Sequence, residues 1–165
     1  MRIRPGELSD AEALAEIYNA EVLGSTATFD LVPRTVEEQR SWLLERSGAL
    51  AVLVAELDDV DPPTIVGYAS LSKFRERPAY STTVESSVYV HEKHRRSGIA
   101  RELMSEMLKT AASHGFHAVI ARIADSQEAS LVLHEQLGFA LVGVEREVGR
   151  KFGRWLDVSV MQVII

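Results

Sequence analysis

The stretch "VESSVYVHEKHRRSGIARELM", residues 84–104, decides the fold prediction for this chain. It opens with a run typical of a strand ending at Val90, passes through a basic turn that contains a glycine, and continues as a helix beginning near Gly98. Unpaired backbone N–H groups at a helix start bind phosphate well, aided by the helix macrodipole. Arg95 and Arg96 would add charge-assisted hydrogen bonds. The turn is therefore a candidate phosphate site.

Two other interpretations of this basic turn stay open on the residues alone. A short basic cluster can be a nuclear-localisation or nucleic-acid patch, or merely a solvated surface turn. The formal net charge of −6 weighs against nucleic acid as the main partner. The turn is neither a Walker loop, since no Gly-Lys-Ser/Thr follows, nor a dinucleotide fingerprint, since the first two glycines are missing.

The composition indicates one ordinary globular domain over residues 1–165, with 46% hydrophobic and 25% charged residues. The chain has no cysteine, which excludes a disulfide scaffold, a zinc–thiolate site and a catalytic cysteine. No apolar run reaches the ~18 residues of a membrane span, and the amino terminus lacks the apolar segment of a signal peptide. We expect a cytoplasmic protein with no membrane partner.

Outward from residues 84–104, the hydrophobic pattern predicts an α/β domain with a mixed sheet, in the order β-α-α-β-β-β-α-β-α-β-β. Ser9 and Asp10 are predicted to cap the first helix, and Thr35 and Glu38 have capping-box spacing for the second. The predicted strands are 2–4, 50–57, 64–74, 82–90, 117–124, 139–147 and 154–165, and the predicted helices are 9–23, 34–47 (closed by Gly48), 99–115 and 126–138.

The turn sequence "RRSGIA", residues 95–100, fits the Q/R-x-x-G-x-G/A signature with which GNAT acetyltransferases hold the pyrophosphate of acetyl-CoA. The stretches "TVESSVYV", "LHEQLGF" and "GRKFGRWLDVSVMQ" resemble the branch that acetylates phosphinothricin, methionine sulfoximine and methionine sulfone, and the likeness runs from about Ile3 to Gln162. The resemblance implies a single GNAT domain with a mostly antiparallel central sheet flanked by helices. It also implies acetyl-CoA as co-substrate, no metal, a homodimer, and a role in antibiotic or herbicide resistance.

Acetyl transfer to an amine needs a neutral nucleophile, so a general base near the ammonium group is useful. The resemblance implies that Glu85 is this base; on the residues alone it could equally be an exposed strand residue. His134 stands where many GNAT proteins have a tyrosine that protonates the departing thiolate, and both a catalytic and a structural role stay open for it. The resemblance also implies the cofactor-binding residues Val88, Tyr89, Val90, Arg95, Arg96, Ser97, Gly98, Ile99, Ala100, Arg101, Gln127 and Gln136.

The segment "KFRERPAY", residues 73–80, is the candidate for acceptor binding. Arg75 and Arg77 carry the fork-shaped donors that a carboxylate requires, and at least one of them is expected on the substrate. The alternative is a solvated loop in which one arginine pairs with Glu76. The full set of candidate acceptor residues is Phe29, Phe74, Arg75, Glu76, Arg77, Tyr80, Glu85, Ser86 and Ser87.

Three further alternatives stay open. His91 and His94 have i, i+3 spacing, but a metal site is improbable without further ligands. The acceptor could be a peptide or protein amine rather than a small amino acid. The chain could also be a sensor that binds acyl-CoA without catalysis, although Glu85 beside an intact cofactor turn argues against this.

Overall fold

The computed structural model describes residues 1–46, 48–124 and 127–165, and its helices and strands follow the predicted order. The predicted helix end at Ser47 and helix start at Ser126 lie outside the described residues. No helix in these ranges is long and apolar enough to cross a membrane. The strands are β1 (Arg2–Pro5), β2 (Val52–Leu57), β3 (Thr64–Lys73), β4 (Thr83–Val90), β5 (Ala118–Ala124), β6 (Ala140–Lys151) and β7 (Arg154–Ile164); the helices are α1 (Ala11–Gly24), α2 (Val36–Leu44), α3 (Ile99–Ser113) and α4 (Glu128–Gln136).

The strands form one seven-stranded sheet in the order β1-β2-β3-β4-β5-β7-β6. All neighbouring strands pair antiparallel except β4 and β5, which pair in parallel over only three residues of each strand. Helix α3 makes the crossover that a parallel pair requires. The predicted mixed, mostly antiparallel sheet is confirmed.

Helices cover both faces of the sheet, and each face has its own core. Leu103, Met104 and Met107 of α3 are completely buried against one face. On the other face, Leu14 of α1 packs with Tyr68 of β3. Because side chains alternate along a strand, β4 sends Val84, Ser86, Val88 and Val90 towards α3 and Glu85, Ser87 and Tyr89 towards α1 and α2. Alternate residues of one strand therefore serve the core and the candidate site.

The two predicted helix caps have different outcomes. The capping box of α2 is confirmed: Thr35 Oγ1 accepts from the Glu38 N–H at 3.1 Å, and the Glu38 carboxylate accepts from the Thr35 N–H at 2.7 Å. The Asp10 side chain does not cap α1, so that prediction is wrong. It accepts bonds at 2.8 Å from the Arg4 guanidinium and the Glu7 N–H. The Asp10 carboxylate therefore bonds groups that precede it in the chain instead of the first turn of α1.

The β6–β7 hairpin extends further than the sequence pattern predicts, because β6 continues to Lys151. The strand passes an irregularity between Glu145 and Gly149 and then turns through Phe152 and Gly153. These two residues have φ angles of 52° and 73°, and positive φ at both central positions is typical of the two-residue hairpin turn. The predicted strand end at residue 147 is therefore wrong. Phenylalanine rarely occupies a left-handed position, so the residue type at 152 does not indicate a turn there.

Candidate active site

The parallel strands β4 and β5 stop pairing after three residues of each strand, and we call the opening between their unpaired ends the candidate cleft. Pairing ends at Glu85 and Ile120, where the Ser86 hydroxyl donates to the Ile120 carbonyl oxygen at 3.4 Å. From Val88 to Val90, β4 pairs with β3 on its other edge but not with β5. Backbone groups on the open edge can therefore bond an extended ligand, as an exposed strand edge does in peptide recognition.

The basic turn at the end of β4 has the geometry of an anion site. Gly98 has a φ of 85°, a left-handed conformation that favours glycine, and it lies directly before α3. The first backbone bond of the helix runs from the Glu102 N–H to the Gly98 carbonyl oxygen at 3.1 Å. The N–H groups of the intervening residues Ile99, Ala100 and Arg101 therefore precede the intrahelical bonding pattern and can bind phosphate oxygens.

The cationic side chains of this turn have separate tasks. Arg95 forms an ion pair with Glu21 of α1 and donates to the Val90 carbonyl oxygen at 3.3 Å, so it ties the turn to α1. Arg96 and Arg101 are exposed and make no ion pair within the described part of the chain. These two guanidinium groups are therefore better placed than Arg95 to bind the phosphates. The Ser97 hydroxyl donates to a backbone carbonyl of the turn, that of His94.

Glu85 is half-buried on the sheet face that also carries Ser87 and Tyr89. Burial raises the pKa of Glu85, the Arg122 charge opposes that rise, and the Glu145 charge adds to it. Arg122 donates from both terminal nitrogens to Glu145, with one contact at 3.0 Å, so its charge is largely balanced. A carboxylate whose pKa lies above its ordinary value is better matched to accept a proton near neutral pH.

His134 lies in α4 and is buried, with 4% of its surface exposed. Its Nδ1 is 2.7 Å from the Ser130 carbonyl oxygen, and its ring packs edge-on against Phe139 at 4.9 Å between centroids. Burial lowers the pKa of His134, which favours the neutral ring. A neutral ring that donates Nδ1–H to Ser130 has no proton left on Nε2 for a thiolate. The geometry favours the structural role, and the catalytic role stays a prediction.

The loop between β3 and β4 presents Arg75 on an aromatic platform. The Arg75 guanidinium lies 4.9 Å from the Phe74 ring centroid and 5.4 Å from that of Tyr80, and the two rings meet edge-on at 5.5 Å. Glu76 pairs with Lys73 at 2.7 Å, so the alternative in which it pairs with an arginine is not observed. Arg77 is exposed at the start of the short 3₁₀ turn that holds Tyr80.

The remaining candidates lie around this cleft. The Phe29 ring rests on the backbone of β6, where a Cβ atom at Gly149 would come within 2.1 Å of it, so a larger residue there would displace Phe29. Gln127 donates to Thr26 Oγ1 at 3.3 Å, which connects the start of α4 to the segment after α1. Gln136 is exposed at the end of α4. The structure thus groups Glu85 and Ser87 on one face, whereas the Ser86 side chain is buried on the other.

Lys151 is a site residue that the sequence did not indicate. It is buried at 4% exposure near the end of β6, and its ammonium group donates to the Thr28 carbonyl oxygen at 2.8 Å and the Glu21 carbonyl oxygen at 3.3 Å. These bonds hold the segment that carries Phe29 against the hairpin. The partners lie more than 120 residues away in sequence, so no local pattern could have predicted them.

An extended backbone cleft that ends at an anion-binding turn, with a half-buried carboxylate beside it, defines a site for transfer from a long phosphate-bearing cofactor. The sequence matches the acetyltransferase (GNAT) domain family over residues 3–160, and the chain belongs to that family. It is an acetyl-CoA-dependent N-acetyltransferase. Within the described ranges, no three His, Asp or Glu side chains form a metal-binding group.

Known relatives match nearly the whole chain. A phosphinothricin N-acetyltransferase from Streptomyces coelicolor is 41% identical, with 96% of this chain and 93% of the relative aligned. A methionine sulfoximine/methionine sulfone acetyltransferase from Salmonella typhimurium is 37% identical over 99% and 94%. Among solved structures, a ribosomal-protein-alanine N-acetyltransferase from Brucella melitensis superposes with a TM-score of 0.95 at 37% identity over 100% of both chains. A phosphinothricin acetyltransferase from Sinorhizobium meliloti in complex with acetyl-CoA has a TM-score of 0.94 at 33% identity over 99% and 88%.

Proposed function

We propose that this enzyme acetylates the amino group of a small amino acid or analogue of the phosphinothricin, methionine sulfoximine or methionine sulfone type, with Glu85 as general base. The observation that carries the proposal is the position of Glu85. Glu85 is half-buried on β4 and its pKa is raised. It lies three residues before the open backbone edge at Val88–Val90. The named activities of the relatives from Streptomyces and Salmonella support this class of acceptor.

In the proposed reaction, acetyl-CoA supplies the acetyl thioester, and the residues of this chain bind both substrates and move the proton. The open edge of β4 holds the acyl arm, and the start of α3 with Arg96 and Arg101 holds the phosphates. Glu85 accepts a proton from the acceptor ammonium group, and the neutral amine attacks the thioester carbonyl carbon. The new C–N bond replaces the C–S bond, and the departing CoA thiolate takes up the second proton that the nitrogen loses. The Arg75 platform, or Arg77 beside it, binds the acceptor carboxylate.

The experiment is a panel of acceptors assayed for release of free CoA thiol. We expect release with phosphinothricin, L-methionine sulfoximine or L-methionine sulfone, and none with their N-acetylated forms, which lack the reactive amine. Arg75→Ala or Arg77→Ala should raise the acceptor KM at least about tenfold and leave the acetyl-CoA KM unchanged, because a lost charged hydrogen bond weakens only acceptor binding. Binding of acetyl-CoA without thiol release for any amine would instead indicate the acyl-CoA sensor.

A peptide or protein amine is the second candidate acceptor, and the name of the Brucella structure favours it. A short peptide with an N-terminal alanine, included in the same panel, separates the two candidates. A higher kcat/KM for this peptide than for every free amino acid would contradict the small-acceptor proposal. If the enzyme selects acceptors by a free carboxylate next to the amine, free amino acids should have the higher kcat/KM, because the peptide lacks that group.

We also propose that the protein forms a homodimer through the β6–β7 hairpin, and that it acts in the cytoplasm in resistance to toxic amino-acid analogues. The hairpin exposes Val142, Val148, Phe152 and Trp155, each with more than half of its surface accessible. Such a patch is typical of an interaction surface. Light scattering should give twice the 18.3 kDa chain mass, and Trp155→Glu should shift it to the monomer mass. A monomeric wild type would refute the dimer.

A further inference from the structure

Arg46 lies two residues beyond the end of α2 at Leu44. The last turn of α2 packs into the core on this face of the sheet, where Leu43 is buried with Tyr68 and Trp42 packs against them. The Arg46 side chain is half-buried beside Trp42, at the edge of this core. A charged side chain in such a place requires polar partners.

Arg46 contacts β3 at the residue that lies beside Glu85. Arg46 Nη2 donates to Ser72 Oγ at 3.2 Å. Ser72 of β3 lies directly opposite Glu85 of β4, and Ser70 lies opposite Ser87. Residues that pair in an antiparallel ladder place their side chains on the same face about 5 Å apart. The Arg46 guanidinium therefore bonds the side chain that is the cross-strand neighbour of the proposed base.

Within the described ranges of the chain, the charge of the adjacent Glu45 acts on Arg46 but forms no ion pair with it. The guanidinium stacks 3.9 Å from the Trp42 ring centroid and Nη1 donates to the Trp42 carbonyl oxygen at 3.3 Å, but no carboxylate forms an ion pair with it. Its Nε is buried without a hydrogen-bond partner, as is Gln39 Nε2. The neighbouring Arg34 differs, because it pairs with Asp30 at 3.2 Å.

The Arg46 guanidinium is half-buried without an ion-pair partner. Burial, together with the positive charge of Arg34, lowers the pKa of Arg46, and the Glu45 charge opposes this shift. A buried charge without a partner destabilises the folded state, and buried polar atoms without partners require an explanation such as a bound group. A carboxylate or phosphinate would supply both the missing charge and the missing acceptor, and the planar guanidinium fork binds such groups through paired bonds.

We propose that Arg46 binds an anionic oxygen group of the acceptor and holds it on the Ser72 side of Glu85. The group is the α-carboxylate or, in an acceptor that has one, the acid group of the side chain. This inference rests on the proposed function, since it assigns a second specificity-determining arginine to the same site. Arg75, three residues after Ser72 and exposed, would then supply the other arginine of the site.

The experiment measures steady-state kinetics at saturating acetyl-CoA for Arg46→Met, Arg46→Lys and the control Arg40→Met. Arg40 is an exposed residue of α2, and its Nη1 lies 3.9 Å from Glu37 Oε2. The acceptors are L-methionine sulfone, its carboxamide and phosphinothricin. We expect Arg46→Met to raise the KM for L-methionine sulfone at least about tenfold, Arg46→Lys to raise it less, and Arg40→Met to leave it unchanged. The KM for acetyl-CoA should stay constant in all variants.

The panel distinguishes the two sources of the anionic group. If Arg46 binds the α-carboxylate, the variant and the wild type should have the same KM for the carboxamide. If Arg46 binds the side-chain acid group, only the KM for phosphinothricin should rise.

Thermal unfolding separates acceptor binding from a structural role. Removing an unpaired charge should leave the Tm of Arg46→Met equal to or above that of the wild type. A lower Tm with unchanged KM for all three acceptors would mean that Arg46 only bridges α2 and β3, and the proposal would fall. Should Arg46→Met not fold, an unchanged KM in Arg46→Lys would overturn it equally. Failure of the wild type to release CoA with any amino acid would refute the proposed function itself, and this inference with it.

Discussion

Replacing Glu85 by glutamine tests the proposed mechanism most directly, because it keeps the shape of the side chain and removes only the proton acceptor. General-base catalysis typically contributes about 10²–10⁴ to the rate, so kcat at pH 7 should fall by that factor. This loss corresponds to about 2.7–5.4 kcal/mol of transition-state stabilisation. The KM for acetyl-CoA should not change, since in the proposed reaction the phosphates bind at the start of α3, beyond the far end of β4.

The pH dependence follows from the environment of Glu85. Burial raises the pKa of Glu85 above its ordinary value of 4.5, with Glu145 adding to the rise and Arg122 opposing it. The wild-type rate should therefore fall as the pH drops towards this raised pKa and the base becomes protonated. At high pH, free amine forms without help, since an α-amino group has a pKa of about 8. The ratio of the wild-type kcat to the Glu85→Gln kcat should therefore be largest near neutral pH and should decrease at both lower and higher pH.

A stability measurement gives an independent check on the same residue. A carboxyl group with a raised folded-state pKa binds more protons in the folded than in the unfolded state, so it reduces stability as the pH rises through the interval between the two values. Glu85→Gln carries no charge to desolvate. Its Tm should exceed that of the wild type at pH 7.5 and equal it near pH 4, below the unfolded pKa.

The assay is a pH–rate profile of wild type and Glu85→Gln, with Glu106→Gln on the exposed side of α3 as the control. Near-wild-type kcat for Glu85→Gln at pH 7 would refute the base assignment and leave Glu85 as a positioning residue. A deep loss that does not recover at high pH would also contradict it, because the defect would then lie in geometry rather than in proton transfer.

Two further predictions concern Gly98 and His134. Gly98→Asp should weaken acetyl-CoA binding by calorimetry far more than the same-shaped Gly98→Asn, because asparagine tolerates the left-handed φ of 85° without adding negative charge beside the phosphates; equal affinities would refute the anion site. His134 has a pKa below its ordinary 6.5, so the unfolded state binds the additional proton and wild-type stability should fall as the pH drops below about 6.5. His134→Gln should flatten this slope in urea unfolding and lower kcat less than tenfold, whereas a hundredfold loss of kcat would support the catalytic role.

Local signals in the sequence determined much of this protein. The strand, turn and helix of residues 84–104 have the predicted order, and their proposed role in binding the cofactor stays a prediction. The capping box at Thr35 and Glu38 is correct because all its atoms lie within one helical turn. The roles of Glu85 and Arg75 came from resemblance to a family rather than from periodicity, and they stay predictions.

Long-range contacts decided the rest. Asp10 bonds Arg4, six residues earlier, instead of capping α1. Arg95 forms an ion pair with Glu21, 74 residues away. Lys151 is buried because two backbone carbonyls more than 120 residues earlier accept its hydrogen bonds. None of these partners can be read from spacing along the chain.

Arg46 shows where the two levels meet. The sequence predicts a helix over residues 34–47, but α2 ends at Leu44 and Arg46 lies beyond it, so helical spacing does not determine which surface the Arg46 side chain reaches. Only the tertiary structure decided what lies there: the β3–β4 register puts Ser72 opposite Glu85, and Ser72 receives the Arg46 hydrogen bond. A helix pattern specifies direction relative to its own axis, whereas the identity of the facing surface depends on how distant strands pair.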